Sequence, residues 1–234
     1  MSALLPPIDP RDVLARLRQA HDRFEMESNR CLAVARSWQS TSFPPWGRFQ
    51  IDVGHQAIGL GVGDVFDVLE MMDGRWLVYL ADAGGLATPS AVLTGFVIRK
   101  AVADAVRQPG LTAGGLLKAV NSTLLTWQSN PVAMAVLIFD ESSSVEFARA
   151  GLPAPWQFMS DGSLGRWSTP GPLLGLTEAD YPTDRFQVSE GSRLILSTVP
   201  SLQPQADSTA EQLLSTLLPD ARPGDDRTIL IVSR

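Results

Sequence analysis

The chain is poor in the residues that build disulfides and zinc sites. It has one cysteine, two histidines and two tyrosines in 234 residues. With Cys31 alone, neither an internal disulfide nor a thiolate metal site can form. His21 and His55 lie far apart, so a histidine-rich zinc site is excluded. A Ser-His-Asp triad would have to use one of these two rings, and no Gly-x-Ser-x-Gly elbow is present. Lys and Arg number 19 against 25 Asp and Glu, and no basic cluster stands out. A nucleic-acid partner needs grouped cations, so this class is set aside. No long uninterrupted apolar run occurs. The most apolar window, Leu86 to Ala105, contains Pro89, Arg99, Lys100 and Asp104, which reads as a buried helix and not a membrane span. Met1 to Pro7 lacks the basic start and apolar stretch of a secretory signal. With the lone cysteine, this points to the cytoplasm.

What is present suits a globular fold. Apolar residues make up 44% and charged residues 19%, and the length is enough to bury a core without staples. Asp9-Pro10 reads as an N-cap followed by proline at the first helical position, opening a helix to about Gln39. Leu17, Phe24, Cys31 and Trp38 recur every seven residues, with Val13, Ala20 and Val34 as a second track that Glu27 interrupts. That stripe suits either packing on the chain's own domain or a dimer seam. Residues 1–40 are therefore read as an N-terminal helical segment and 41–234 as the main domain, the helix ending at Phe43-Pro44-Pro45.

Strands are predicted over Arg48–Val53, Val65–Met71, Arg75–Ala81, Val132–Asp140, Val145–Ala150, Trp156–Ser160, Phe186–Val188, Arg193–Thr198 and Thr228–Val232. Asp73-Gly74 makes the second and third a hairpin. Helices are predicted from near Thr88-Pro89, from Thr112 to about Gln128, and over Ser208–Leu218. Many antiparallel-looking strands with two central helices and one late helix give an α+β fold, a core of sheets flanked by helices.

The carboxylates are placed suggestively. Asp64 and Asp67 follow a glycine run at a strand start. Asp82 ends a strand before Gly84-Gly85, and Asp225-Asp226 precede the last strand. Carboxylates at strand ends can converge on hard cations such as Mg²⁺ or Mn²⁺. Taken singly, each reads first as turn chemistry. Gly59-Leu60-Gly61-Val62-Gly63 leads into a strand and not a helix, so a dinucleotide loop has no support.

Seven short motifs stand in order: Phe43-Pro44-Pro45, Gly61-Val62-Gly63-Asp64-Val65-Phe66-Asp67, Ala81-Asp82-Ala83-Gly84-Gly85, Ala150-Gly151-Leu152-Pro153, Gly171-Pro172-Leu173-Leu174-Gly175, Gly191-Ser192-Arg193-Leu194 and Asp225-Asp226-Arg227-Thr228. Together they resemble the SpoIIE/RsbU branch of the PPM-type protein phosphatases, from about Ala33 to Arg234. The resemblance implies a sandwich of two antiparallel sheets with helices outside, preceded by a lead-in helix. It also implies two Mg²⁺ or Mn²⁺ ions that activate a water to remove phosphate from Ser or Thr of a regulatory protein, such as an anti-sigma-factor antagonist. By resemblance, Asp82 would bridge both metals, the Ala83 carbonyl would face one, Asp64 would ligate or hold waters, and Asp225 would take the other. Asp226 would be its neighbour and Asp67 a support for the loop.

The chain departs from the family pattern at linked positions. Where the family has Y-[ST]-D-G, this chain has Ser197-Thr198-Val199-Pro200, so a metal-binding aspartate is replaced by valine. Val62 replaces a glycine, Leu86-Ala87 a Lys-Gly pair, Leu152 a histidine and Ala133 a threonine. Two functions are consistent with this: a weakened metal-dependent phosphatase, or an inactive relative that binds a phosphoprotein or partner.

Overall fold

The computed structural model describes residues 10–37, 39, 42–57, 63–84, 89–217 and 226–234. The expected N-cap Asp9 and most of the segment from Pro219 to Asp226 lie outside them. The elements run α1 (Pro10–Ser37), β1 (Gln50–Gln56), β2 (Asp64–Glu70), β3 (Trp76–Asp82), α2 (Pro89–Ala105), α3 (Ala113–Trp127), β4 (Ala133–Phe139), β5 (Ser144–Ala150), β6 (Trp156–Phe158), β7 (Leu164–Arg166), β8 (Asp184–Gln187), β9 (Arg193–Ser197), α4 (Ala210–Thr216) and β10 (Arg227–Ser233).

The strands form two five-stranded antiparallel sheets, ordered β1-β10-β9-β6-β7 and β2-β3-β4-β5-β8. Period-2 alternation sorts each strand between two apolar layers. In β2 and β3, Val65, Tyr79 and Ala81 join the cluster under α2 and α3. Phe66, Val78 and Leu80 join Leu194, Leu196, Leu230 and Val232 between the sheets. On the far side, Ile195, Ile229 and Ile231 pack with Leu213 and Leu214 of α4. The layers are thus helices, sheet, sheet, helix. Central strands β3 and β4 read as continuous apolar runs because both of their faces are covered.

Local chemistry fixes the helices onto this frame. Thr112 caps α3 through Gly115 N at 3.0 Å, and buried Glu146 accepts from Ala113 N at 3.2 Å. Thr209 and Gln212 form a capping box on α4, while Asp52 of β1 accepts from Ala210 N at 2.8 Å. Gly54 lets α4 come close, since a Cβ there would stand 2.8 Å from the Ala210 backbone.

One expectation changes. The hairpin strand β7 was not anticipated: its three residues carry a central glycine, and only the turn at Asp161-Gly162 announces it. The long helix α1 contacts α2, yet Leu14, Leu17, Phe24, Met26 and Val34 remain exposed along it. Among the described residues, no helix is long and apolar enough to cross a membrane.

Candidate active site

The acidic site lies at one end of the strands, where β2 begins and β3 ends. β2 begins at Asp64 and β3 ends at Asp82, and the antiparallel register sets these residues directly opposite each other. They share strand phase with Phe66 and Leu80, so both belong to the face between the sheets. The opposing sheet brings up Thr198, just after β9, and Thr228, the second residue of β10.

Asp64 is 2% exposed. Its Oδ2 accepts from Thr228 Oγ1 at 2.6 Å and from Thr198 Oγ1 at 2.9 Å. The Thr198 hydroxyl in turn accepts from Thr228 N at 3.0 Å. Burial, then the charge of Asp82, pushes the Asp64 carboxyl well above its ordinary range, against the pull of the two hydroxyls.

The flanking loops are held by backbone donors. Asp82 Oδ1 accepts from Gly84 N at 2.8 Å, and Asp226 Oδ2 accepts from Gly63 N at 2.6 Å. Ala83 N donates to Gly63 O at 2.8 Å, tying the two loops together. Gly63 is required there, because a Cβ would stand 2.6 Å from Gly84 O. Ala83 is fully buried.

The expected site residues divide into three groups. Asp64, Asp82 and Asp226 lie in one neighbourhood, with the charges of Asp82 and Asp226 both acting on Asp64. Asp225 lies outside the described residues. Asp67 belongs to the other face of β2. It pairs with Arg99 of α2 at 2.8 Å and accepts from Val68 N, so it fastens strand to helix.

Of the replaced positions, Val62, Leu86 and Ala87 lie outside the described residues, and Val199, Leu152 and Ala133 have found apolar surroundings. Val199 is half-buried and packs against the layer beneath α4, with its N–H donated to Ser197 Oγ at 2.9 Å. Leu152 and Ala133 join the core between the sheets. Ala133 lies opposite Asp82 in the β3–β4 register.

A residue that motif reading passed over enters here. His55 of β1 lies opposite Thr228 of β10, and its Nδ1 is 2.9 Å from Thr228 Oγ1. Its ring rests against Phe66 with centroids 5.7 Å apart. Burial lowers its pKa, opposed by the Asp226 charge. Only its phase in β1, shared with apolar Ile51 and Val53, marked it as inward-facing.

The donors themselves test whether the site suits the divalent cations that the resemblance implies. Asp64 and Asp82 place hard oxygens side by side at a closed edge, and their repulsion is what a divalent cation relieves. The donor type therefore fits Mg²⁺ or Mn²⁺. The number of anions is reduced: Val199 offers none, and among the described residues no three His, Cys, Asp or Glu side chains form a ready cage.

The comparisons agree with the fold. The family of Stage II sporulation protein E matches residues 72–198, more than half of the chain. No curated protein sequence matches. Among solved structures, the PP2C domain of SiaA from Pseudomonas aeruginosa superposes with TM-score 0.69 at 16% identity, covering 92% of this chain and 98% of that one. The phosphatase domain of SpoIIE from Bacillus subtilis, with a fragment of its regulatory domain, gives TM-score 0.66 at 17% identity, covering 82% of this chain. This chain spans only 64% of that structure, less than two thirds of its length. RsbX in complex with magnesium gives TM-score 0.63 at 15% identity, covering 79% and 94%. Matched in sequence over more than half its length and in fold over most of it, the chain belongs to the SpoIIE family and has the fold of PP2C-type phosphatase domains.

Proposed function

We propose that the domain removes phosphate from Ser or Thr of a regulatory protein in the cytoplasm, with weakened use of Mg²⁺ or Mn²⁺. The observation that carries this reading is the Asp64–Asp82 pair, opposite in register, with Asp64 held by two hydroxyls from the other sheet. Asp82, Asp64 and the Ala83 carbonyl would hold the cations, and Asp225, two positions before β10 in sequence, would contribute a further carboxylate. Bound divalent cations supply charge neutralisation at phosphorus and an acidified water. The chain's own part is orientation. Thr198 and Thr228 hold the Asp64 carboxyl, Gly84 N holds that of Asp82, and Gly63 keeps the two loops in contact.

A second reading, a non-catalytic module that binds a phosphoprotein or a partner domain, is favoured by Val199. Its side chain is committed to the apolar layer under α4. By family analogy the partner is an anti-sigma-factor antagonist, and the exposed stripe on α1 supports a homodimer.

Mn²⁺ titration by calorimetry, with a phosphate-ester assay on the same samples, separates the readings. Binding with turnover that Asp82→Asn abolishes supports the phosphatase. Turnover indifferent to Asp82→Asn overturns the metal assignment. Neither binding nor turnover leaves the binding module.

A further inference from the structure

His55 supplies a further donor to this site, and simple proton counting assigns it. The Thr228 hydroxyl has one hydrogen, and it goes to Asp64 Oδ2 at 2.6 Å. Toward His55, Thr228 Oγ1 can therefore only accept. The His55 Nδ1, 2.9 Å away, must carry the hydrogen. Nε2 is then the bare nitrogen, and it is buried without a hydrogen-bond partner among the described residues. A buried orphan acceptor is costly, so the ring is retained there against a penalty.

Thr198 is treated the same way. It receives a hydrogen bond from Thr228 N and passes its own hydrogen to Asp64 Oδ2. Both hydroxyls on Asp64 are thus aimed by a donor behind them. For a carboxylate near a cation, such outer donors fix orientation.

We infer that His55 is a positioning residue for the acidic site: its Nδ1–H commits the Thr228 hydroxyl to Asp64 and holds that carboxyl in one orientation. This rests on reading Asp64 as a cation-holding group. A neutral imidazole suits the task, because a Lys or Arg there would place a full positive charge beside the cation. Burial favours the neutral ring, although Asp226 opposes it. Any proton taken up by Asp64 on Oδ1 leaves both hydroxyl bonds in place.

The test uses the full chain and two readouts. Long-range ¹H–¹⁵N NMR of the metal-free protein at neutral pH is expected to show His55 as the Nδ1–H tautomer. Thr228→Val should release that preference. Calorimetry with Mn²⁺ is expected to show about 10–100-fold weaker binding for His55→Leu. His55→Asn, whose amide can donate from near the Nδ1 position, should stay close to wild type. An Nε2–H tautomer in the wild type overturns the assignment. So does wild-type Mn²⁺ affinity in a folded His55→Leu. If the wild type binds no Mn²⁺, the cation reading of Asp64 fails by itself, and the tautomer still decides the hydrogen-bond chain.

Discussion

Thr228 donates to Asp64 across the space between the two sheets, at 2.6 Å and 164 positions apart in the chain. This bond joins β2, at the edge of one sheet, to β10, the second strand of the other. Removing it while keeping the volume leaves a buried carboxyl oxygen short of a donor. Thr228→Val is therefore expected to cost about 1–3 kcal/mol of stability, and Thr228→Ser much less. Urea denaturation of metal-free protein measures both. Equal stability for Val and wild type would remove the bond from the energetic account.

Gly63 should tolerate no side chain. A Cβ there meets the Gly84 carbonyl at 2.6 Å, backbone against backbone, and neither loop can yield without moving Asp82 or Asp226. Gly63→Ala is expected to destabilise by about 1–3 kcal/mol and to weaken Mn²⁺ binding. Calorimetry and a denaturation curve on the same preparation check both effects.

Val199 can be tested by reversal. Its side chain now contributes to the layer under α4, so an aspartate there loses apolar packing and adds a charge. The double change Val199→Asp with Pro200→Gly is expected to lower stability in chelator. It should also raise Mn²⁺ affinity at least about tenfold, the scale on which ligand-shell changes act. A thermal melt with and without Mn²⁺ reads the sign. A restored aspartate that binds no Mn²⁺ would show that the scaffold has diverged beyond one ligand.

His55 predicts a pH dependence. Its folded-state pKa lies below the ordinary 6.5, chiefly through burial. The folded state therefore prefers the neutral ring. The associated stability is complete above pH 6.5 and is lost as pH falls from there through the lower folded value. His55→Leu lacks this contribution, so wild type should lose stability relative to the variant over that window. Denaturation midpoints for both proteins between pH 7.5 and 5, a range chosen to span roughly the ordinary histidine value, measure the difference. Parallel curves would remove the assigned burial effect.

The α1 stripe predicts self-association. Leu14, Leu17 and Phe24 are 57%, 61% and 59% exposed in the single chain. Sedimentation of the full chain should show a dimer that a shortened chain starting at Ser40 lacks. Equal monomer masses would end the dimer reading.

Strand and helix positions were largely legible because burial imposes periodicity. Val65–Met71 and Arg75–Ala81 were readable as a hairpin around Asp73-Gly74, and β2 and β3 fall within one residue of that reading. β7 escaped because three residues with a central glycine carry no alternation. The phase of β2 was legible in principle: Asp64 and Asp67 differ by an odd number, so they cannot share a face. Motif order had grouped them, and the strand separates them.

The chain alone determined that hard oxygen donors cluster at strand ends, that thiolate and histidine-rich chemistry are excluded, and that one expected ligand is a valine. These are matters of residue type and order. Only the tertiary structure decided that Thr198, Thr228 and His55 back Asp64, because those contacts join residues far apart in sequence through the pairing of β1 with β10 and the stacking of two sheets. It also decided the fate of Val199. A side chain without an oxygen cannot satisfy a cation, and an apolar layer lay beside it to receive it.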